Sequence, residues 1–424
     1  MKERASALLQ WTWLGAAVGV ACGVASAVFL TLLEHATKFR QDHEEIVYTL
    51  PLAGLVIGAI YERWGKPIKG GNNLIIDTIH EDKPQIPLRM APMVLIGTVL
   101  THLFGGSAGR EGTAVQMGAS LADEIAHRLH VKEETRRQLL AAGIAGGFGS
   151  VFGTPIAGAI FGLEVVCVGR LEYDALAPAL IASVVGDYVT RHLGVAHTSY
   201  PPAPVIDLGP SVFVKLAVIG IGMALATVAF VELTHRFKHL LEHRIPRLPV
   251  RMFLGGLVVV GMWKLFGTSD YLGLGVPTIV SAFNDPNLAV YAFAAKLVFT
   301  SVTLASGFLG GEVTPLFFVG ATLGSVLARV LGLPLELGAG VGLAAVFGSA
   351  ANTPVALSIM AVELLGSSIF PHVVIVCVIA YLLSGHRGIY PAQRIWKRKH
   401  GGRELEYPVP LRDFEDRGLR SRGG

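Results

Sequence analysis

Gly143-Ile-Ala-Gly-Gly-Phe-Gly-Ser-Val-Phe-Gly-Thr-Pro155 is answered later in the chain by Gly342-Leu-Ala-Ala-Val-Phe-Gly-Ser-Ala-Ala-Asn-Thr-Pro354. The offset of 199 persists to Glu164 and Glu363, and ten of 22 positions across 143–164 are identical. Upstream, Gly118-Ala119-Ser120-Leu121 corresponds to Gly320-Ala321-Thr322-Leu323 at an offset of 202, and the Gly-rich stretches 105–113 and 307–315 also correspond. Chance similarity of Gly/Ala-rich helices would match small residues alone; here Thr-Pro and Glu fall in register as well. Two halves, 1–200 and 205–400, therefore share an architecture and together form one transmembrane domain, with 401–424 a short tail. If each half crosses the membrane an odd number of times, the copies are inverted. Their matching broken helices then converge near the midplane, where such folds place substrate sites.

Composition supports the membrane reading. The 424 residues are 52% hydrophobic and 16% charged, against about 25% charged in soluble chains, and the mean hydropathy is +0.55. Glycine is 51 of 424, above the usual ~7%, which suits close helix crossings and helices that break inside a bilayer. The net charge of +4 is concentrated in Arg387–Lys399 and beyond. A basic end of this kind reads as cytoplasmic, not as a nucleic-acid patch. The run Trp11–Leu33 is long enough to span and too long for a signal peptide's apolar core. Both termini are expected in the cytoplasm, with the chain in a bacterial inner membrane. Cys22, Cys167 and Cys377 lack metal-ligand spacing and read as inert buried thiols. No metal or cofactor is expected.

Val212–Val231 and Phe293–Leu309 read as full crossings, whereas Pro354–Leu365 is too short. Short apolar segments ending at Gly and Pro imply helices that stop part-way through the bilayer, tolerated only where their ends line a cavity or are covered by protein.

Four constellations carry chemistry. In Gly105-Gly106-Ser107-Ala108-Gly109-Arg110-Glu111-Gly112-Thr113, a Gly-rich loop leads into a helix and offers free N–H groups at the positive end of its dipole. Glu111, a tethered anion, can fill that site when ionised and yield it to a mobile anion when protonated. It would then serve as both gate and proton carrier; the alternative is a structural Glu paired with Arg110. Gly70-Gly71-Asn72-Asn73-Leu74-Ile75 offers amide donors at Asn72, or equally a helix cap. Gly311-Glu312-Val313-Thr314-Pro315-Leu316-Phe317-Phe318 occupies the second half's matching position, with Thr314 as donor and Glu312 as a cap or a charge partner. Tyr390, after the last apolar run, is either an anion donor or an interfacial belt residue. Glu164 and Glu363 lie at equivalent positions inside apolar helices. They are open to a proton-path reading or to a shared structural one.

Together these loops resemble the CLC family of chloride channels and anion/proton exchangers, over nearly the whole chain. Gly109-Arg110-Glu111-Gly112 is similar to that family's gating-glutamate motif. The resemblance implies an all-α polytopic CLC-type fold of about 18 tilted and broken helical segments in two inverted repeats, and a homodimer with one pore per subunit. The departures point further. Asn72 replaces the Ser that donates to chloride, Thr113 replaces a Pro, and Gly311-Glu312-Val313-Thr314-Pro315 replaces Gly-x-Phe-x-Pro. Val165 stands where chloride/proton exchangers carry a relay Glu. This set looks like the fluoride-specific branch, which exports fluoride in exchange for protons. The resemblance thus implies that Asn72, Glu111, Thr314, Phe318 and Tyr390 line the path. Gly109, Arg110, Gly112 and Thr113 complete the expected anion site, and Glu111 and Glu312 carry gating and proton transfer. Fluoride, protons and the bilayer are the expected partners, and no nucleic acid is.

Fluoride holds water more strongly than chloride, so strong close donors such as Asn72 and Thr314 suit it. The competing reading is a chloride/proton exchanger or passive chloride channel of the same fold. An intramembrane protease is disfavoured: Val184 breaks the Gly-x-Gly-Asp pattern before Asp187, and Asp174 lies only 13 residues away. No enzymatic activity is expected.

Overall fold

The computed structural model describes residues 2–81, 83–401 and 405–414, and most of the expected tail 401–424 lies outside them. Among these residues are sixteen α-helices, four short 3-10 segments and three two-residue strands. Five helices are long and apolar enough to cross a membrane: Leu8–Asp42, Glu44–Trp64, Pro210–Arg244, Leu248–Phe266 and Val313–Leu331. Others are shorter than a bilayer requires, including Asn72–His80, Pro155–Glu164, Ala292–Ala305 and Pro354–Leu365. The chain is a multi-pass, all-α membrane protein of tilted and broken helices in two inverted repeats.

One expected crossing is corrected. Phe293–Leu309 is not a continuous helix; it ends at Ala305. Hydropathy runs on, but Gly307 adopts φ 102, a left-handed conformation that breaks the spiral and turns the chain toward the gate.

The repeat dictates the packing. Helices Glu111–Arg128 and Glu133–Phe152 cross where Gly118 meets Gly143; a Cβ on Gly118 would lie 2.2 Å from the Gly143 carbonyl oxygen. In the second half, Val313–Leu331 and Leu335–Ala350 cross where Gly320 meets Gly342, at the same 2.1 Å in both directions. Only glycine permits backbones this close.

The intramembrane acids bind the halves together reciprocally. Glu164 of the first half accepts hydrogen bonds from Val355 N (3.1 Å) and Ala356 N (2.7 Å), at the start of the second half's Thr-Pro helix. Glu363 accepts from Ile156 N (3.0 Å) and Ala157 N (2.8 Å) at the first half's equivalent helix. Each carboxylate satisfies two otherwise orphaned donors at a helix N-terminus, where negative charge is favoured. This geometry supports the structural reading of both residues.

Candidate anion site

The two gate loops meet at the centre. Gly109 and Gly311 form an antiparallel bridge, with Gly109 N donating to Gly311 O (2.6 Å) and Gly311 N to Gly109 O (2.8 Å). Immediately beyond it begin helices Glu111–Arg128 and Val313–Leu331, so their positive N-terminal ends converge. Gly112 leaves little room for a side chain here: a Cβ would stand 3.1 Å from Gly311 Cα and 3.2 Å from Asn72 Nδ2.

The Glu111 side chain lies in this convergence and is 1% exposed. Its Oε2 accepts from Arg110 N and Thr314 N, both at 3.1 Å, and its Oε1 accepts from Thr314 Oγ1 at 2.5 Å. The Arg110 guanidinium Nε stands 3.5 Å from Oε1. Burying a lone carboxylate costs several kcal/mol; here donors from both repeats and two helix ends offset that cost. The carboxylate thus occupies an anion site and contacts Arg110 as well, so the two readings of Glu111 coexist.

The remaining expected residues fall into distinct places. Asn72 is the first residue of Asn72–His80, and Gly71 (φ 54) takes the cap position, so Asn72 is not a cap. Its Oδ1 is buried without a partner. Asn72, Val165, Phe161 and Tyr390 help to enclose a cavity of ≈ 10 Å³, about the room one water-sized species needs. Tyr390 is 4% exposed, which is incompatible with an interfacial belt. Phe318 is fully buried one helical turn beyond Thr314. The Thr113 hydroxyl is engaged 2.6 Å away with that of Thr98. Glu312 caps Val313–Leu331 without a side-chain hydrogen bond. It borders two larger cavities, of ≈ 560 and ≈ 290 Å³, whose walls carry Lys238, Glu242 and Arg251, and His235 and His239 respectively. The disfavoured protease pair offers no shared site: Asp187 is tied to Arg191 (2.8 Å) and His197 (3.2 Å), and Asp174 is exposed.

Several residues that fix this geometry escape a sequence reading. Asn73 Oδ1 accepts from Ala392 N (3.0 Å), and Asp77 receives Arg394 (3.1 Å) and Arg412 (3.1 Å). Gln393 Nε2 donates to Val165 O (2.8 Å) and Ala351 O (2.7 Å). The Asn73 and Asp77 bonds hold the Tyr390 segment against the helix that carries Asn72, and the Gln393 bonds tie it to the ends of Pro155–Glu164 and Leu335–Ala350. The only signal in the sequence was the doubled Asn72-Asn73.

The sequence profile of the voltage gated chloride channel family matches residues 53–385. The chain is 47% identical over 414 residues to a chloride/fluoride channel protein of Pseudomonas syringae pv. tomato, covering 96% of this chain and 91% of the relative. The crystal structure of a CLC-type fluoride/proton antiporter superposes with a TM-score of 0.89 at 38% identity, over 92% of this chain and 98% of that one. A slow cyanobacterial Cl⁻/H⁺ antiporter shares the fold, with a TM-score of 0.78 at 18% identity over 88% and 94% of the two chains. Gate loops bridged between two repeats, broken helices converging on a buried glutamate and these matches lead to one assignment: the chain belongs to the voltage-gated chloride channel (CLC) family.

Proposed function

We propose that this protein is a fluoride/proton antiporter that exports fluoride from the cytoplasm. The observation that carries the proposal is the Glu111 carboxylate, seated on Arg110 N, Thr314 N and the Thr314 hydroxyl. An ionised Glu111 competes with a mobile anion for those donors. Protonation removes the charge that holds it, the side chain leaves, and fluoride takes the donors. Exchange of the two occupants thus couples anion movement to proton movement.

The surroundings support separate routes for the two ions. Asn72 and Tyr390 flank a compartment with room for about one small ion. Val165, which is apolar, lies on that route and cannot carry a proton. Glu312 instead borders the large cavities, which supports it as a proton carrier toward Glu111. Fluoride must shed tightly held water to fit, and burying an ion without partners is costly; the hydroxyl, amide and backbone donors replace that water. The likeness to the fluoride/proton antiporter, closer than that to the chloride exchanger, supports fluoride as cargo. The protein would act as a homodimer with one path per subunit, in a bacterial inner membrane with both termini cytoplasmic, without enzymatic activity.

The test is ion flux from purified protein in liposomes. Fluoride should move and drive protons in the opposite direction. Chloride moving as readily, or fluoride moving without protons, would refute the proposal.

A further inference from the structure

Three basic side chains lie close together behind the first gate loop: Arg40, His102 and Lys296. Arg40 is 6% exposed and the other two are fully buried. Two of them are satisfied by backbone carbonyls. The His102 ring nitrogens meet Thr98 O (2.8 Å) and Ala108 O (2.9 Å). Lys296 Nζ donates to Tyr271 O (3.1 Å) and Gly273 O (2.6 Å) and stands 5.4 Å from the centre of the Phe318 ring. Arg40 differs. Its Nε and Nη1 are buried without hydrogen-bond partners, although it is near enough to repel both Lys296 and His102. Among the described residues, no carboxylate lies within ion-pair distance of it. A buried cation with unmade bonds is costly unless something pairs with it.

Arg40 borders a cavity of ≈ 240 Å³ with Thr37, Val47, Leu272 and Gly275 in its walls. Thr37 Oγ1 is also buried without a partner, so two residues with unfulfilled donors line the same cavity. The lining includes two acids, Glu44 and Asp270; Glu44 is near enough to attract Arg40, but both acids are exposed and Glu44 already accepts the Ser269 hydroxyl at 2.9 Å. A charge in water acts much more weakly than one buried, so Arg40 dominates the interior.

The cavity adjoins the gate. A Cβ on Gly105 would lie 3.0 Å from Val47, Gly273 N donates to Gly106 O at 3.1 Å, and a Cβ on Gly275 would lie 2.7 Å from the Phe318 ring. We propose that this cavity is a second anion site, in which the Arg40 guanidinium and the Thr37 hydroxyl hold a small inorganic anion one layer of chain away from Glu111. At about 30 Å³ per water, the space admits an anion with much of its hydration intact. The site therefore discriminates little between halides, unlike the compartment at Asn72. It neutralises Arg40 and keeps an anion waiting beside the gate.

Bromide tests this directly, because the site does not require dehydration. Crystals of the full chain grown in bromide should show an anomalous peak in contact with Arg40 and Thr37. Crystals of Arg40→Met should lack that peak, and those of Arg40→Lys, which keeps a cation, should retain it. No peak in wild-type crystals overturns the proposal, as does a peak that survives in Arg40→Met. In liposomes Arg40→Met should slow fluoride efflux several-fold at an unchanged proton-to-fluoride ratio; a wild-type rate overturns the role beside the gate. Failure of the wild-type protein to move fluoride would instead sink the antiport reading, leaving the bromide result to decide the site.

Discussion

Replacing Thr314 by valine keeps the shape of the side chain and removes one donor. Among the described residues the Thr314 hydroxyl is the one hydrogen-bond donor on Glu111 Oε1; Arg110 N and Thr314 N both bind Oε2. A hydrogen bond to a charged group contributes about 1.5–3 kcal/mol, which is roughly a 10- to 150-fold change in an equilibrium constant at about 1.4 kcal/mol per tenfold. Fluoride that displaces Glu111 meets the same hydroxyl, and at a pH low enough to protonate Glu111 the carboxyl no longer competes, so the lost donor weakens fluoride alone. The expected result is an apparent fluoride affinity at least tenfold weaker in Thr314→Val. Thr314→Ser keeps the hydroxyl and should stay within a few-fold of wild type. Initial fluoride flux in liposomes at fixed pH on both sides, measured against fluoride concentration, reads the difference. A valine variant with wild-type affinity, or a serine variant as weak as valine, would show that the hydroxyl does not hold the anion.

Glu111→Gln should leave fluoride flux down its gradient while abolishing proton movement, because the amide fits the pocket but carries no exchangeable charge; proton flux that persists in step with fluoride would remove Glu111 from the role. Asn72→Ala should raise the apparent KM for fluoride more than it changes the proton ratio, since Asn72 borders the small compartment and not the Glu312 cavities; a changed ratio with an unchanged KM would contradict this. Glu164→Gln and Glu363→Gln each exchange one accepting oxygen for a donor facing a backbone N–H, so each should lower stability by about 1–3 kcal/mol, visible in thermal unfolding, with coupling retained; lost coupling at wild-type stability would restore the proton-path reading. Gly320→Ala places a methyl 2.1 Å from the Gly342 carbonyl, and should prevent accumulation of folded protein; a monodisperse, active variant would refute the close crossing.

The gate was legible because its chemistry is local. A Gly-rich loop leading into a helix, with an acid at the first helical position, needs no knowledge of distant residues to be read as an anion site. The repeat was legible because Thr-Pro and Glu recur at one offset. What the repeat did not reveal is that each glutamate serves the opposite half: Glu164 and Val355 are 191 residues apart, and nothing local encodes that pairing. The same limit hid Asn73, Asp77, Gln393 and Arg394, whose roles depend on side-chain direction across the fold. Phe293–Leu309 read as one crossing because hydropathy ignores backbone angles, and Gly307 breaks the helix by its φ.

The reciprocal bonds of Glu164 and Glu363 also bear on biogenesis. As the chain leaves the ribosome, the amides of Ile156 and Ala157 have no carboxylate to meet until residue 363 has been made, and Glu164 has none to receive until residue 356 appears. The first half must therefore wait in the bilayer, unfinished at its centre, for more than half of its own synthesis time. Neither half is a self-sufficient ancestor in its present form: a chain cut between them would have to be supplied as two pieces together, each completing the other's helix.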